Sequence, residues 1–415
     1  MTLKVLQKPI SAFLKNILIM FRGTVIAQVI GFLASIYLAK IYGEAAYGYF
    51  GFFISLINII SIISTLQLEH CVITSKSNET SRFWFSSLLI LIPITTLLSF
   101  IILLLKHHFY PFEELNETII ISSIVGVLLL AFNVNHESYY TFKKQFSIIA
   151  NNKIALTILN VGFQWFLFYK YEVFGLILGF LISQFLLLLF NTFKNKGTFT
   201  RVQFSMFKSE IKANSEIVNY LFPSNLLNAI ALNFMPLLIL AFFSAKEAGT
   251  YFFSIKILGA PLFLISSSVS KVYFKRSVEL LEDKKSELYQ LTKKVVGTNV
   301  LIMLGFLIMI NTIGVYALEW FLGNNWNDLR TYLWIVSFLI LGRSSFTPIS
   351  SLIVSMQKNF IGLIFNVFLL LLNIAAIYYG IISNDLKTAI FILSIMGGIG
   401  YVALLLYFMT ALKKN

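Results

Sequence analysis

Twelve stretches of about 20 mostly apolar residues, separated by short polar connections, constrain this chain more than any other feature of it. In a helix, about 20 such residues cross a bilayer core of ~30 Å. In the first half the stretches are 17–38, 49–66, 84–105, 118–139, 148–168 and 174–193; in the second half they are 217–243, 251–272, 295–318, 332–355, 360–379 and 389–411. The fourth carries the weakest signal, because Asn133, Asn135, His136 and Glu137 interrupt its end. A transmembrane β-barrel would alternate apolar and polar residues over roughly ten positions per strand. No such alternation runs through these segments, so an all-α membrane protein is expected.

Composition supports this reading. Of 415 residues, 58% are hydrophobic and 12% charged, against roughly a quarter charged in an ordinary soluble domain, which excludes a soluble enzyme. The 32 Lys and Arg against 18 Asp and Glu leave a formal charge of +14. These cations are spaced singly or in short groups between apolar runs, not gathered on one solvated face as nucleic-acid binding requires. The lone Cys71 cannot form an intramolecular disulfide, and four His without ligand spacing, with His107 and His108 adjacent, point to no metal site and no cofactor. Lys4, Lys8 and Lys15 precede a first apolar run that is too long for a signal peptide and lacks a small-residue cleavage pattern, so it is expected to stay as a transmembrane helix.

The charges orient the spans. With both termini placed in the cytoplasm, inner segments hold 23 Lys and Arg, outer loops hold six, and three, Arg22, Lys256 and Arg343, fall inside helices. Acidic residues divide nine to each side, so the inner face carries +14 and the outer face −3, the asymmetry of the positive-inside rule. Outer connections are short, the longest near 106–117, whereas the larger loops, 191–216 and 273–294, lie inside. A membrane polymerase, ligase or glycosyltransferase would usually present a substantial outer domain, and this chain offers no room for one.

Internal similarity divides the chain. At an offset of 202, Leu38-Ala39 aligns with Leu240-Ala241, and Ala46, Tyr49 and Phe50 align with Ala248, Tyr251 and Phe252. Six helices followed by six, each set starting inside, suggest parallel repeats around a central cavity: a bundle over 1–193, a cytoplasmic linker over 194–216 and a second bundle over 217–415.

Charges within spans are costly and by default functional. Arg22 lies about two turns into the first helix, with Gln28 beyond it; Lys256 is roughly two turns from the outer surface; Arg343 is about 18 Å from the outer start of the tenth helix. Snorkelling accounts for Arg22 and Lys256 almost as well as function does, and least well for Arg343. No Asp or Glu lies deep in any span, and Glu69, at the inner end of the second helix, is the nearest candidate. Unpaired cations there favour a watery cavity or an anionic ligand, and a cation exporter would normally need a buried carboxylate. Asn225, Asn228 and Asn233 form a polar stripe on the seventh helix, while Asn133, Asn160, Gln164, Gln184 and similar residues individually read as glue between helices. Pro236, Pro261 and Pro348 fall within spans, where each removes a backbone hydrogen bond and can kink its helix.

The segment 15–76 resembles the start of the bacterial polysaccharide flippases of the Wzx type, relatives of the MATE exporters and the flippase MurJ in the MOP superfamily. The resemblance is carried by Arg22, by the turn Gly43, Tyr47, Gly48, Phe50, and by a Glu-centred motif at Leu68, Glu69, Val72 and Ile73; the polar-basic segment 135–153 adds to it. Gln67-Leu68 stands where relatives often carry Arg and an aromatic residue. The resemblance implies a twelve-helix, MATE-like fold of two bundles in the bacterial inner membrane. It further implies transport of undecaprenyl-diphosphate-linked O-antigen or capsule repeat units from inner to outer leaflet by alternating access. Arg22, Lys256 and Arg343 would neutralise the diphosphate, with Gln28, Glu69, Asn225, Asn228 and Asn233 also lining the site. Membrane lipids, a polysaccharide polymerase and a chain-length regulator are the partners it suggests, and nucleic acid is not one. A multidrug or small-solute exporter of the same fold is the alternative.

Overall fold

The computed structural model describes residues 4–109, 117–281 and 284–413, and the side chains among them except those of 4–19, 103–109, 265–268, 271, 272, 275 and 324. Residues 110–116, part of the longest outer connection expected from sequence, and the charged pair at 282 and 283 lie outside this set, as do the side chains of His107 and His108.

The described secondary structure is entirely helical. In chain order the helices are α1 (Lys4–Thr65), α2 (Glu69–Thr74), α3 (Asn78–Phe109), α4 (Glu117–Phe142), α5 (Phe146–Tyr171), α6 (Phe174–Lys194), α7 (Phe204–Ala213) and α8 (Phe222–Phe242). They continue as α9 (Ala245–Leu281), α10 (Lys285–Met309), α11 (Val315–Leu322), α12 (Leu329–Phe346), α13 (Leu352–Ser355), α14 (Asn359–Ser383) and α15 (Leu386–Lys413). Among the described residues, ten helices or joined helices are long and apolar enough to cross a membrane. The first, Met20–Thr65, spans two apolar stretches of the sequence. It is broken at Gly43 (φ 76°, ψ 178°), a conformation that a residue without Cβ adopts freely. Many apolar side chains remain exposed along these helices, including Ile102, Leu301 and Ile382 at 69%, 71% and 68%, as expected where lipid is the solvent. The chain is a multi-pass helical membrane protein.

Several connections differ from the sequence reading. The inner loop expected over 273–294 is mostly helix: α9 continues to Leu281 and α10 begins at Lys285. The two arms pack through Tyr273, Leu280 and Leu288, and the Tyr273 and Thr292 hydroxyls lie 2.6 Å apart. Polar sequence concealed this, because helices that extend past a membrane lose the apolar signal without losing the fold. Within 191–216 sits α7, whose Met206, Phe207 and Ile211 pack on a core of Leu68, Val72, Trp84, Phe85 and Leu88. The ninth and tenth stretches are interrupted, by a π turn at Ile310–Gly314 and by a 3₁₀ turn at Thr347–Ile349 that contains Pro348.

By contacts the chain forms two units, one of Met1–Leu38 with Phe53–Ala229 and the other of Ala39–Phe52 with Ile230–Asn415. In the first, α5 and α6 pack closely, with Gly179 against the Gln164 backbone. In the second, α12 and α15 meet through Gly342 and Gly398, whose backbones touch. An apolar core of Phe346, Ile349, Leu352, Leu369, Leu404 and Phe408 joins α12, α13, α14 and α15 in the second unit.

Candidate transport site

Each unit places part of the expected residue set. In the first unit, helices α4, α5 and α6 carry a buried polar network. Asn133 Nδ2 donates to the Gln184 carbonyl at 3.0 Å and to its Oε1 at 2.9 Å. Asn191 Nδ2 donates back to Asn133 Oδ1 at 3.3 Å. Asn191 Oδ1 accepts from Tyr140 Oη at 3.2 Å and Asn152 Nδ2 at 2.9 Å. Beside it, Asn195 and His136 Nδ1 lie 2.9 Å apart. Asn133, Asn191 and His136 are 8%, 2% and 1% exposed. Their polar atoms are largely spent on one another, as buried amides require where water is absent. This network is glue, in agreement with the reading of Asn133 and Gln184 from sequence.

The region of the same unit where α1 turns into α2 is less settled. Helix α1 ends in two consecutive left-handed residues, Leu66 (φ 50°) and Gln67 (φ 59°), so the chain turns sharply into α2. Asn225 Nδ2 donates to Gln67 Oε1 at 2.6 Å. Glu69 is 8% exposed, and its Oε2 is buried without a hydrogen-bond partner. The Cys71 thiol, two residues on, is pushed up to about 12 by burial and by the Glu210 and Glu69 carboxylates. Of the remaining candidates in this unit, Arg22 and Asn228 are exposed and Gln28 half-buried. The structure therefore brings Asn225 to the turn that leads into Glu69; it joins neither Arg22 nor Gln28 to that turn through any hydrogen bond among the described residues.

The second unit holds the two deep cations. Lys256, on α9, is half-buried, with Nζ 5.6 Å from the centre of the Tyr47 ring, a cation–π approach. Tyr47 in turn meets Phe253 and Trp326 edge-on at 5.4 and 5.8 Å, and Trp326 Nε1 donates to the Ala39 carbonyl at 3.2 Å. Arg343, on α12, sits beside the phenols of Tyr251 and Tyr401, and its Nε is buried without a hydrogen-bond partner. Neither cation forms an ion pair with a described residue, whereas Arg330 and Lys387 in the same unit pair with Glu319 and Asp328. Asn233 is half-buried and engaged by the protein itself. Among the described residues there is no metal-binding group of His, Cys, Asp and Glu.

The repeat signal has a structural counterpart here. Phe50 and Phe252, which match at the offset of 202, touch edge-on at 6.3 Å. Gly48 lies against the Ala245 carbonyl and Gly249 against the Glu44 carbonyl, and any Cβ at either position would collide with backbone. The residues missed from sequence are Gln67, Tyr47, Trp326, Tyr251 and Tyr401. Tyr251 carried a signal as the repeat partner of Tyr49, and Tyr47 and Gln67 appeared within the family resemblance without a role in the site; Trp326 and Tyr401 carried none.

The fold is that of MOP-superfamily transporters. The lipid II flippase MurJ in its inward closed conformation matches with a TM-score of 0.73 at 15% identity, covering 96% of this chain and 88% of MurJ. An inward-facing multidrug resistance MATE transporter matches at 0.60 and 15% identity, covering 94% and 96% of the two chains. A MOP-superfamily transporter from Pyrococcus furiosus, for which reverse polarity of the binding pocket suggests a different function, matches at 0.56 and 16%, covering 97% and 96%. No curated protein sequence matches this chain. The family described as polysaccharide biosynthesis protein matches residues 37–331, more than half of the chain. The chain belongs to that family.

Proposed function

We propose that the protein is a flippase that carries undecaprenyl-diphosphate-linked oligosaccharide units from the inner to the outer leaflet of the bacterial cytoplasmic membrane. The observation that carries this reading is the pair of deep cations, Lys256 and Arg343, which have no carboxylate partner among the described residues. An unpaired buried cation is costly, and an anionic cargo offsets that cost through charge-assisted hydrogen bonds of the kind phosphates accept. Membership of a polysaccharide biosynthesis family supplies the class of cargo.

In this reading twelve spans cross the membrane. Gly43 divides the first joined helix, and α9 supplies the eighth span. Both termini face the cytoplasm, following the excess of Lys and Arg in the inner segments. The bundles over 1–193 and 217–415 rock in alternating access. Lys256 and Arg343 hold the diphosphate, Arg22 and Gln28 meet it on entry, and Asn225, Asn228, Asn233 and Glu69 contribute polar contacts. The isoprenoid tail stays in lipid. Polymerase and chain-length regulator act on the product.

The test is genetic and chemical together. Deleting the gene should abolish surface polysaccharide and leave lipid-linked units on the inner leaflet. Units that still reach the outer leaflet at the normal rate, with no other flippase present, would overturn the proposal.

A further inference from the structure

The linker over 194–216 is built as a surface, not as a tether. It leaves α6 at Lys194, and Arg82 on α3 then holds it by donating from Nε to the Thr198 carbonyl at 3.0 Å and from a terminal nitrogen to the Gly197 carbonyl. The Thr200 amide donates to Ser86 Oγ at 2.9 Å. Phe85 meets Phe199 at 6.0 Å, and Trp84 meets Phe207 at 5.9 Å. With Met206, Phe207 and Ile211 turned to the core, the opposite face of α7 is free. Ser205, Lys208, Ser209 and Lys212 line that face and are exposed, and Phe204 is exposed at the start of the helix.

Five cations, Lys194, Lys196, Arg201, Lys208 and Lys212, are exposed along 194–216 against two carboxylates, Glu210 and Glu216, and none of the five forms an ion pair among the described residues. Large aromatics protrude between them, Phe193 at 62%, Phe199 at 46% and Phe204 at 78% exposure. Lys196 Nζ folds to 4.4 Å from the Phe193 ring centre and Lys194 Nζ to 5.5 Å from that of Phe190. Phe190 and Phe193 are exposed on the last turns of a membrane-crossing helix, so the ammonium groups stand where hydrocarbon gives way to headgroups. Cations and aromatic rings at that level are the composition that engages an anionic lipid surface.

We propose that segment 194–212 is a docking surface for anionic phospholipid headgroups in the leaflet where α6 ends. The headgroup phosphates would take the five free cations, and Phe193, Phe199 and Phe204 would enter the acyl boundary. This surface lies wholly in the first unit and does not depend on the identity of the cargo.

The test uses the full chain, purified in a neutral detergent, with retained lipid counted by native mass spectrometry during titration with phosphatidylglycerol or phosphatidylcholine. The wild type should prefer phosphatidylglycerol by about tenfold or more, since each cation near an anionic surface contributes roughly a fivefold effect. The variant K194Q/K196Q/R201Q/K208Q/K212Q should fall to near parity, and K284Q/K285Q/K293Q/K294Q, at the N-cap and in the first turns of α10, should keep the preference. Phe204→Ser, which retains every charge, gives a second measure and should weaken retention of both lipids. Equal retention of the two lipids by the wild type would overturn the proposal, as would an unchanged preference in the five-site variant. So would displacement of phosphatidylglycerol by micromolar inorganic pyrophosphate, which would mark a site for free anions, or unaltered retention in Phe204→Ser.

Discussion

Two sets of polar groups, a buried network in the first unit and a pair of cations in the second, are treated in opposite ways. In the first, Asn133, Asn191, Gln184, Tyr140 and Asn152 satisfy one another across α4, α5 and α6. In the second, Lys256 and Arg343 have no acidic partner, and Arg343, although its side chain meets the Tyr401 hydroxyl, leaves Nε without a hydrogen-bond partner. Both arrangements put polar atoms where water is scarce, but only a satisfied network lowers the energy of the resting protein. The unsatisfied cations are the place to look for a ligand. The difference shows that counting polar residues in membrane spans does not separate glue from candidate ligand contacts, whereas asking which charged ones lack an acidic or basic partner narrows the candidates.

The comparison can be broken or sharpened at four points. The largest effect concerns how tightly the first unit is closed where α1 turns into α2. With its thiol raised to about 12 by burial and nearby carboxylates, Cys71 is protonated throughout the neutral range. Because the thiolate is the reactive form and a free cysteine ionises near 8.5, maleimide labelling at pH 8 should be on the order of 10³-fold slower than for an exposed thiol. Labelling should rise with pH up to about 12. Rapid labelling of native protein at pH 8 would mean that this end is open.

Next in size are the cations. Hydrogen bonds to charged groups are worth ~1.5–3 kcal/mol, so Arg343→Ala and Lys256→Ala should each reduce export by roughly tenfold to a hundredfold at equal protein level. Arg343→Lys should retain part of the activity. Export assayed alongside membrane protein level separates this from misfolding, and normal export in both Ala variants would remove the proposed roles.

A smaller effect is expected where the repeats touch. Gly249→Val must push the Glu44 backbone away, and overpacking of this kind costs ~1–3 kcal/mol, read as a lower melting temperature in detergent. An unchanged melting temperature would mean that the contact is loose.

The smallest effect belongs to the satisfied network. Asn191→Ala removes bonds to Asn133, Tyr140 and Asn152, yet polar contacts between membrane helices average only ~0.6 kcal/mol and reach ~1.7. The melting temperature should fall slightly while export per molecule stays normal. A loss of export matching that of Arg343→Ala would erase the distinction between the units.

Much of the architecture was legible because the bilayer imposes a strong one-dimensional code: apolar length marks each helix, and an unpaired charge such as Arg343 stands out against it. The code fails where helices leave the hydrocarbon. The arms of α9 and α10 and the whole of α7 are too polar to register as spans and read as loops. Site residues were legible only by type. Nothing in the spacing of Asn225 shows that it pairs with Gln67, and nothing in the local sequence of Tyr47 shows that it underlies Lys256. Both contacts join residues more than 150 positions apart, and helix packing decides them. Arg22 illustrates the converse. Its place in the first helix made it a candidate, but it is exposed, so its position alone assigns it to no network.

The most direct measurement is of cargo binding in the second unit. The purified full chain in nanodiscs would be titrated with an undecaprenyl-diphosphate-linked oligosaccharide and, in parallel, with undecaprenol, which has the tail without the diphosphate. Wild type should bind the diphosphate lipid at least tenfold more tightly than the alcohol, and Lys256→Met with Arg343→Met should lose that preference while still binding both weakly. A double variant that keeps the full preference would contradict the assignment of these two cations to the cargo's charge.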